Sequence, residues 1–277
     1  MKKMTVKKLL KSYQIVIGLF ILLTFVLVAV FAPLLAPHDP VEINMAVRFI
    51  APFEMLEHPL GTDNLGRDTL SRLIYGARVS LTIGFASTVS GVIVGVMIGL
   101  VSGYYGGKID TVIMRITDVF LAFPGMLLAL VIVAILGAST TNVIIAVAIF
   151  AVPGFARIVR GSVLDTKKLE FVDAVKALGA SDLRVMFRHI LPNVTTPIII
   201  QATLYVASAI VTASALSFLG VGTQPPTPEW GSMLDTGREF MARAPHMITL
   251  PGLMILLVVI GINLIGDGLR DNLEPKK

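Results

Sequence analysis

The stretch "FVDAVKALGASDLRVMFRHILPN", residues 171–193, lies between two long apolar runs yet carries acidic and basic residues throughout. Gly179 divides it. Before the glycine, Phe171, Ala174, Val175 and Leu178 recur at i, i+3, i+4 and i+7, the spacing of one helix face. A helix beginning near Thr166 would hold all four. After it, Ser181 offers an N-cap oxygen, and Leu183, Met186, Phe187, Ile190 and Leu191 form a second apolar face. Arg184 and Arg188 fall on another side, and Pro192 ends the helix. Gly179 accepts the positive φ that a sharp turn requires. The spacing therefore predicts a helical hairpin. A helix resting on anionic lipid would be mainly basic. Here Asp165, Glu170, Asp173 and Asp182 are interleaved, and mixed charge around an apolar stripe suits a protein groove better.

The surroundings of the hairpin are membrane-like. Of 277 residues, 55% are hydrophobic and only 15% charged, against about a quarter charged in soluble domains. So apolar a chain leaves too little polar surface to cover itself in water, and its solvent is largely lipid. Apolar runs at about 15–36, 79–103, 116–137, 142–160, 197–220 and 248–266 predict an all-α membrane protein with six transmembrane helices. The first run follows the lysine-rich "MKKMTVKKLLK" and is too long for the apolar core of a signal peptide, so it reads as an uncleaved anchor. The resulting division is an N-terminus at 1–14, an anchor at 15–36, an extracytoplasmic segment at 37–78, and a five-helix core at 79–277 that contains the loop 161–196.

Lysine and arginine fix the expected orientation. Six spans place both termini on one side. With those termini inside, 17 of the 23 basic residues fall on inner segments and 6 on outer ones. The positive-inside rule then puts both termini and the 161–196 loop in the cytoplasm of a multi-pass protein of the inner (plasma) membrane. The net charge of +5 follows the ends of apolar runs, which fits membrane orientation rather than nucleic acid.

Several spans carry a pattern of their own. Ser87, Gly91, Gly95, Gly99 and Gly103 recur every fourth residue and leave one helix side nearly bare, so that another helix can approach closely. Packing within the chain is the plainer reading, and a dimer seam is the other. Pro124, Pro153 and Pro251 each precede a glycine and can bend their helices. Gln201, Tyr205, Ser208 and Thr212 share one face of the fifth span. They either bond a neighbouring helix or line a solute pathway.

Catalytic signatures are missing. "SGYYGGKI" has Ser102 where a phosphate loop needs its first glycine, and Ile109 where it needs Ser or Thr. His38, His58, His189 and His246 show no metal-ligand spacing, there is no cysteine, and no Gly-x-Ser-x-Gly elbow occurs. No metal or cofactor is expected, and no intramembrane acidic or histidine cluster suggests a proton relay. A secondary transporter driven by an ion gradient and an intramembrane enzyme are the rival classes, and neither has a motif here.

The hairpin resembles the "EAA" loop of binding-protein-dependent ABC importer permeases, whose pattern is Glu-Ala-Ala, three residues, Gly, nine residues, Ile-x-Leu-Pro. Asp173, Ala174 and Val175 occupy the first places, Gly179 the glycine and Leu191-Pro192 the end, with Asp for Glu, Val for Ala and His189 for Ile as departures. "HPLGTDNLGRDTLSRLIYGAR", "GYYGGKID", "SALSFLGVGTQPPTPEWGSML" and "GDGLRD" occur in order, and the set is similar to the peptide/nickel branch, second-permease type. The resemblance implies a type I importer permease architecture and a non-catalytic subunit moving di- or oligopeptides, with glutathione or a nickel chelate as alternatives. It implies two cytoplasmic ATPase subunits, a second homologous permease and an extracytoplasmic solute-binding protein as partners. Coupling to the ATPases would fall on Asp173, Ala174, Gly179, Leu183, Phe187, Leu191 and Pro192. Pro225, Pro226 and Trp230, on an outer loop stiffened by prolines, would meet the binding protein or cap the helix ends.

Overall fold

The computed structural model describes residues 12–273, which are helical with no strand among them beyond two isolated bridges. The lysines at 2–11 and at 276–277 lie outside the described residues. In chain order the helices are α1 (Tyr13–Val30), α2 (Ala32–Leu35), α3 (Thr69–Tyr105), α4 (Gly107–Ala122), α5 (Gly125–Leu136), α6 (Thr140–Thr166), α7 (Glu170–Ala177), α8 (Asp182–Arg184), α9 (Thr195–Phe218), α10 (Trp230–Arg238) and α11 (His246–Leu273). Helices α1, α3, α6, α9 and α11 are each long and apolar enough to cross a membrane, and the α4–α5 pair makes a sixth span if taken together.

That pair departs from the single helix expected at 116–137. The chain turns by 91° between α4 and α5. Pro124 is the cause: it has no N–H to give the preceding turn, and it pushes Phe123 into extended backbone (φ −86°, ψ 138°). The proline carbonyl then accepts from the N–H groups of Leu127 and Leu128 and starts α5 afresh. Pro153 and Pro251 behave differently, staying inside unbroken α6 and α11.

The second span also outgrows its expected bounds of 79–103. Helix α3 has 37 residues, about 55 Å at 1.5 Å per residue, nearly twice the hydrocarbon thickness. It begins inside the 37–78 segment because Asp68 caps it, one carboxylate oxygen accepting from the Ser71 N–H at 2.7 Å. It ends where Gly106 turns to φ +69°.

The small-residue ladder of α3 faces α6, which settles the choice between packing within the chain and a dimer seam. A methyl group added to Gly91 would stand 2.4 Å from Ala151 Cβ, and one added to Gly95 would stand 2.6 Å from Phe155 Cβ. The two backbones approach too closely for any side chain there. The anchor α1 packs on α11 in the same manner: an added Cβ at Gly18 would lie 2.5 Å from the Gly261 carbonyl oxygen.

Two apolar clusters mark the ends of the bundle. Leu73, Ala77, Leu81, Val206, Ile210, Trp230, Met233, Val258 and Ile262 form one. Leu100, Tyr104, Val159 and Val163 form the other with residues of the 171–193 stretch. The hairpin thus sits on the Tyr105 end of α3, and the 36–68 segment folds over the Thr69 end.

Candidate functional site

The hairpin forms as a short α7, a turn, and a second arm with mixed winding. A Schellman turn closes α7: the Ala180 N–H donates to the Val175 carbonyl at 3.3 Å, and the Gly179 N–H to that of Lys176 at 2.9 Å. Gly179 stands at φ +82°, as the turn demands. The first arm starts at Glu170, not Thr166, because α6 runs on through Thr166. The second arm is less regular than one amphipathic helix: three α residues, a π-helical run at Val185–Ile190 and a 3₁₀ turn at Leu191–Asn193. Ser181 occupies the cap position, yet its side chain makes no capping bond.

Its apolar residues divide between two directions. Val172, Val185, Met186 and Ile190 are buried against Leu100, Tyr104, Val159 and Val163, with Val175, Ala180 and Leu191 packed beside them. Phe171, Leu178, Leu183 and Phe187 face away, with Leu178 87% and Leu183 65% exposed. Of the apolar stripe read from the spacing, Phe171, Ala174 and Leu178 are exposed while Val175 turns inward beside Val172. Asp173, Ala174, Gly179 and Pro192 are exposed, whereas Leu191 is half-buried.

Polar contacts fasten the hairpin to the bundle. Tyr104 donates its hydroxyl to Asp182 at 2.6 Å. Lys167 donates to the Tyr104 carbonyl, and the ammonium groups of Lys167 and Lys176 lie 5.5 and 5.1 Å from the Tyr104 ring centroid. Nearby, Arg160 grips both oxygens of Asp110 at 2.5 and 2.6 Å, joining α6 to α4, and Ser102 donates to the same carboxylate. Tyr104 and Asp110 belong to the "GYYGGKID" motif, but nothing in its spacing reveals that they meet Asp182, Lys167 and Arg160.

The polar stripe of α9 is not uniform. The Tyr205 hydroxyl donates to the Val147 carbonyl of α6 at 3.0 Å, and its ring packs edge-on against Phe155. Gln201 and Thr212 are half-buried and Ser208 is exposed.

At the other end, the proline-rich 220–230 loop divides as well. Pro225 and Pro226 are exposed. Trp230 is 0% exposed, so of the two alternatives read for it the helix-end cap fits and contact with a partner does not. Its indole donates to the Leu73 carbonyl at 3.1 Å, and its ring meets Phe25 edge-on at 5.7 Å. A lone tryptophan this large gains most from burial. Glu229 beside it is buried too and caps α10, accepting from Gly231 N–H, Ser232 N–H and the Ser80 hydroxyl. The "HPLGTDNLGRD" motif builds the fold of the 36–68 segment: Asp63 pairs with Arg67 at 2.6 Å and Arg72 at 3.5 Å, and Arg72 also donates to the Pro40 carbonyl.

Known proteins share this arrangement. Residues 95–277 match the family described as binding-protein-dependent transport system inner membrane component, and residues 2–54 match the N-terminal TM domain of oligopeptide transport permease C. The dipeptide transport system permease protein of Alkalihalophilus pseudofirmus is 50% identical over 270 residues, covering 98% of this chain and 88% of that protein. The glutathione transport system permease protein of Pectobacterium atrosepticum is 46% identical over 259 residues, covering 94% and 85%. An inward-facing structure of the MetNI methionine ABC transporter superposes with a TM-score of 0.61 at 18% identity, covering 73% of this chain and 97% of that one, which speaks for the fold alone. With two thirds of its length matched by the family and relatives near half identity along almost all of it, the chain belongs to the inner-membrane permease components of binding-protein-dependent ABC transport systems.

Proposed function

We propose that the chain is one of two permease subunits of an ATP-driven importer for di- and tripeptides, coupled to cytoplasmic ATPase subunits through the 170–193 hairpin. The observation that carries this reading is the outward apolar patch of Phe171, Leu178, Leu183 and Phe187, held on a hairpin whose inner face is locked into the bundle. Burying one such leucine in a partner contributes about 1.5–3 kcal/mol. Four together, ringed by exposed Asp173, Arg184 and Arg188, suit a groove on a soluble protein that hydrolyses the ATP.

Force applied at the patch is passed on through Val172, Met186 and Ile190 into α3 and α6, which the glycine ladder holds as one body. The bend at Pro124 lets α5 be displaced separately from α4. Gln201, Ser208 and Thr212 line the pathway in this reading, while Tyr205 braces α9 on α6. Pro225 and Pro226 are offered to the solute-binding protein. The basic residues around the hairpin support a cytoplasmic position for it, and the opposite end of α3 then faces the binding protein.

Relatives named as di- or tripeptide permeases support the peptide substrate. Glutathione, itself a tripeptide, is a second reading favoured by the relatives named for it. The test is reconstitution in proteoliposomes with the partner permease, ATPases and binding protein. Leu183→Glu should leave the chain folded, and Gly179→Trp should distort only the turn at φ +82°; both should abolish ATP-dependent uptake and leave ATP hydrolysis insensitive to the loaded binding protein. Wild-type uptake by both variants would overturn the coupling role. The ligand that the binding protein retains, identified by mass spectrometry, decides between dipeptide and glutathione.

A further inference from the structure

His38 and His58 are far apart in sequence, but the 36–68 segment brings them together over the Thr69 end of α3. Their rings lie 4.6 Å apart between centroids, tilted by 34°. Both turn Nδ1 toward one carboxylate oxygen: Asp68 Oδ1 stands 3.0 Å from His58 Nδ1 and 3.9 Å from His38 Nδ1. All three atoms lie within 4.8 Å of one another.

The carboxylate and the first histidine are fixed by a single serine. The Ser71 N–H holds Asp68 Oδ2 at 2.7 Å, and the His38 N–H donates to Ser71 Oγ at 3.0 Å. The Asp68 side chain is wholly buried, and the described ion pairs with Arg67 and Arg72 go to Asp63 instead. Among the described residues no ion pair joins Asp68 to an arginine or lysine, and its partners are the Ser71 N–H and the His58 ring, so a proton or a cation there adds to its stabilisation. A proton accounts for only part of the geometry. His58 can donate Nδ1–H to Asp68, but 3.9 Å is too long for a hydrogen bond from His38. His38 Nδ1 is itself buried and has no hydrogen-bond partner.

A divalent ion accounts for all three atoms. In a tetrahedral shell with bonds of about 2.0–2.2 Å, ligand atoms stand about 3.3–3.6 Å apart. The two imidazole–carboxylate distances, 3.0 and 3.9 Å, bracket that separation, and the two imidazole nitrogens, within 4.8 Å of each other, need close by up to about 1.4 Å. The geometry points to a binding site for a divalent transition metal of the Zn²⁺ class, formed by His38 Nδ1, His58 Nδ1 and Asp68 Oδ1. Two imidazoles and one carboxylate select Zn²⁺, Ni²⁺ or Cu²⁺ over Mg²⁺ and Ca²⁺, which prefer all-oxygen shells. Ser71 is the outer-shell group that orients the carboxylate. The His38 ring is one-third exposed although its Nδ1 is buried, so an ion reaches the three ligand atoms past the edge of that ring. Metal there clamps the turn after α2 to the first residue before α3, closing the outer segment over the bundle.

Binding is measured by calorimetry on tag-free, metal-stripped full-length chain in detergent, with Zn²⁺ as titrant and Co²⁺ as a spectroscopic probe. One Zn²⁺ per chain, a higher Tm with Zn²⁺, and a visible Co²⁺ band are expected. His38→Ala should weaken binding at least about tenfold and erase the band, while His189→Ala changes neither. The His38 variant is decisive because its side chain makes no hydrogen bond whose loss would unfold the chain. Absence of stoichiometric binding below about 100 µM, or equal affinity in the His38→Ala chain, overturns the site.

Discussion

Tyr104, one residue from the end of α3, donates its hydroxyl to Asp182 in the second arm of the hairpin, 78 residues later in the chain. This bond, with the two lysines over the same ring, ties the longest helix to the surface assigned to coupling. Removing the hydroxyl alone, in Tyr104→Phe, keeps the ring and its cationic neighbours. The bond's partner is exposed, so the loss is modest, about 1 kcal/mol. Hydrogen exchange across 182–193 should accelerate several-fold in Tyr104→Phe while the amides of α6 stay protected; unchanged exchange would show that the tether is idle.

The glycine ladder has a sharper consequence. Gly95→Leu forces a side chain into a space where even a methyl group would stand 2.6 Å from Phe155 Cβ, and overpacking of this kind costs about 1–3 kcal/mol or more. Thermal unfolding in detergent should shift down by several degrees or the chain should fail to accumulate. Gly161→Ala is the control, because an added Cβ there meets nothing within 4 Å and alanine favours the helix. Its Tm should equal or exceed that of the parent.

Pro225 on the loop before α10 and Trp230 at the first position of that helix separate structure from docking. Trp230→Ala empties a buried site and should destabilise by about 3–5 kcal/mol, lowering Tm whether or not a binding protein is present. Pro225→Ala should leave Tm unchanged and lower only the stimulation of transport by the binding protein. A Trp230→Ala chain with normal Tm would contradict its burial.

Glu229 makes stability depend on pH. Burial raises its pKa above the ordinary 4.5, against the lowering effect of the Gly231, Ser232, Ser217 and Ser80 donors. For a carboxyl group shifted upward, the folded state holds its proton while the unfolded state releases it. Its contribution is therefore fully present below the unfolded value and is lost as pH rises through the folded pKa. Glu229→Gln has no proton to lose. The difference in Tm between parent and variant should change steadily above about pH 4.5 in favour of the variant. A flat difference would mean that Glu229 is ionised in the fold.

The spans were legible because run length alone separates a membrane helix from a core helix. The break at Pro124 was legible as a proline, but its 91° angle was not, since a missing hydrogen bond permits a bend without setting its size. In the hairpin, the start of the first arm at Glu170 and the π winding of the second were hidden, and only the turn at Gly179 followed from local chemistry. The facing of α7 did not: Val172 and Phe171 are neighbours of equal apolarity, and only the position of Tyr104 decides which one turns inward. The pairing of α1 with α11 through Gly18 and Gly261, and the meeting of His38 with His58, join residues that no period connects. The 36–68 segment has no repeating pattern, so its salt bridges and its histidine pair emerge only in the folded chain.

Helix α3 contains no proline between Asp68 and Gly106, and this has a mechanical result. An uninterrupted rod of about 55 Å turns a tilt of about 1° into a displacement of about 1 Å at its tip. On such a rod a rotation imposed beside Tyr104 moves Asp68 in proportion, which is how the proposed coupling at the hairpin would reach the 36–68 segment at the opposite end.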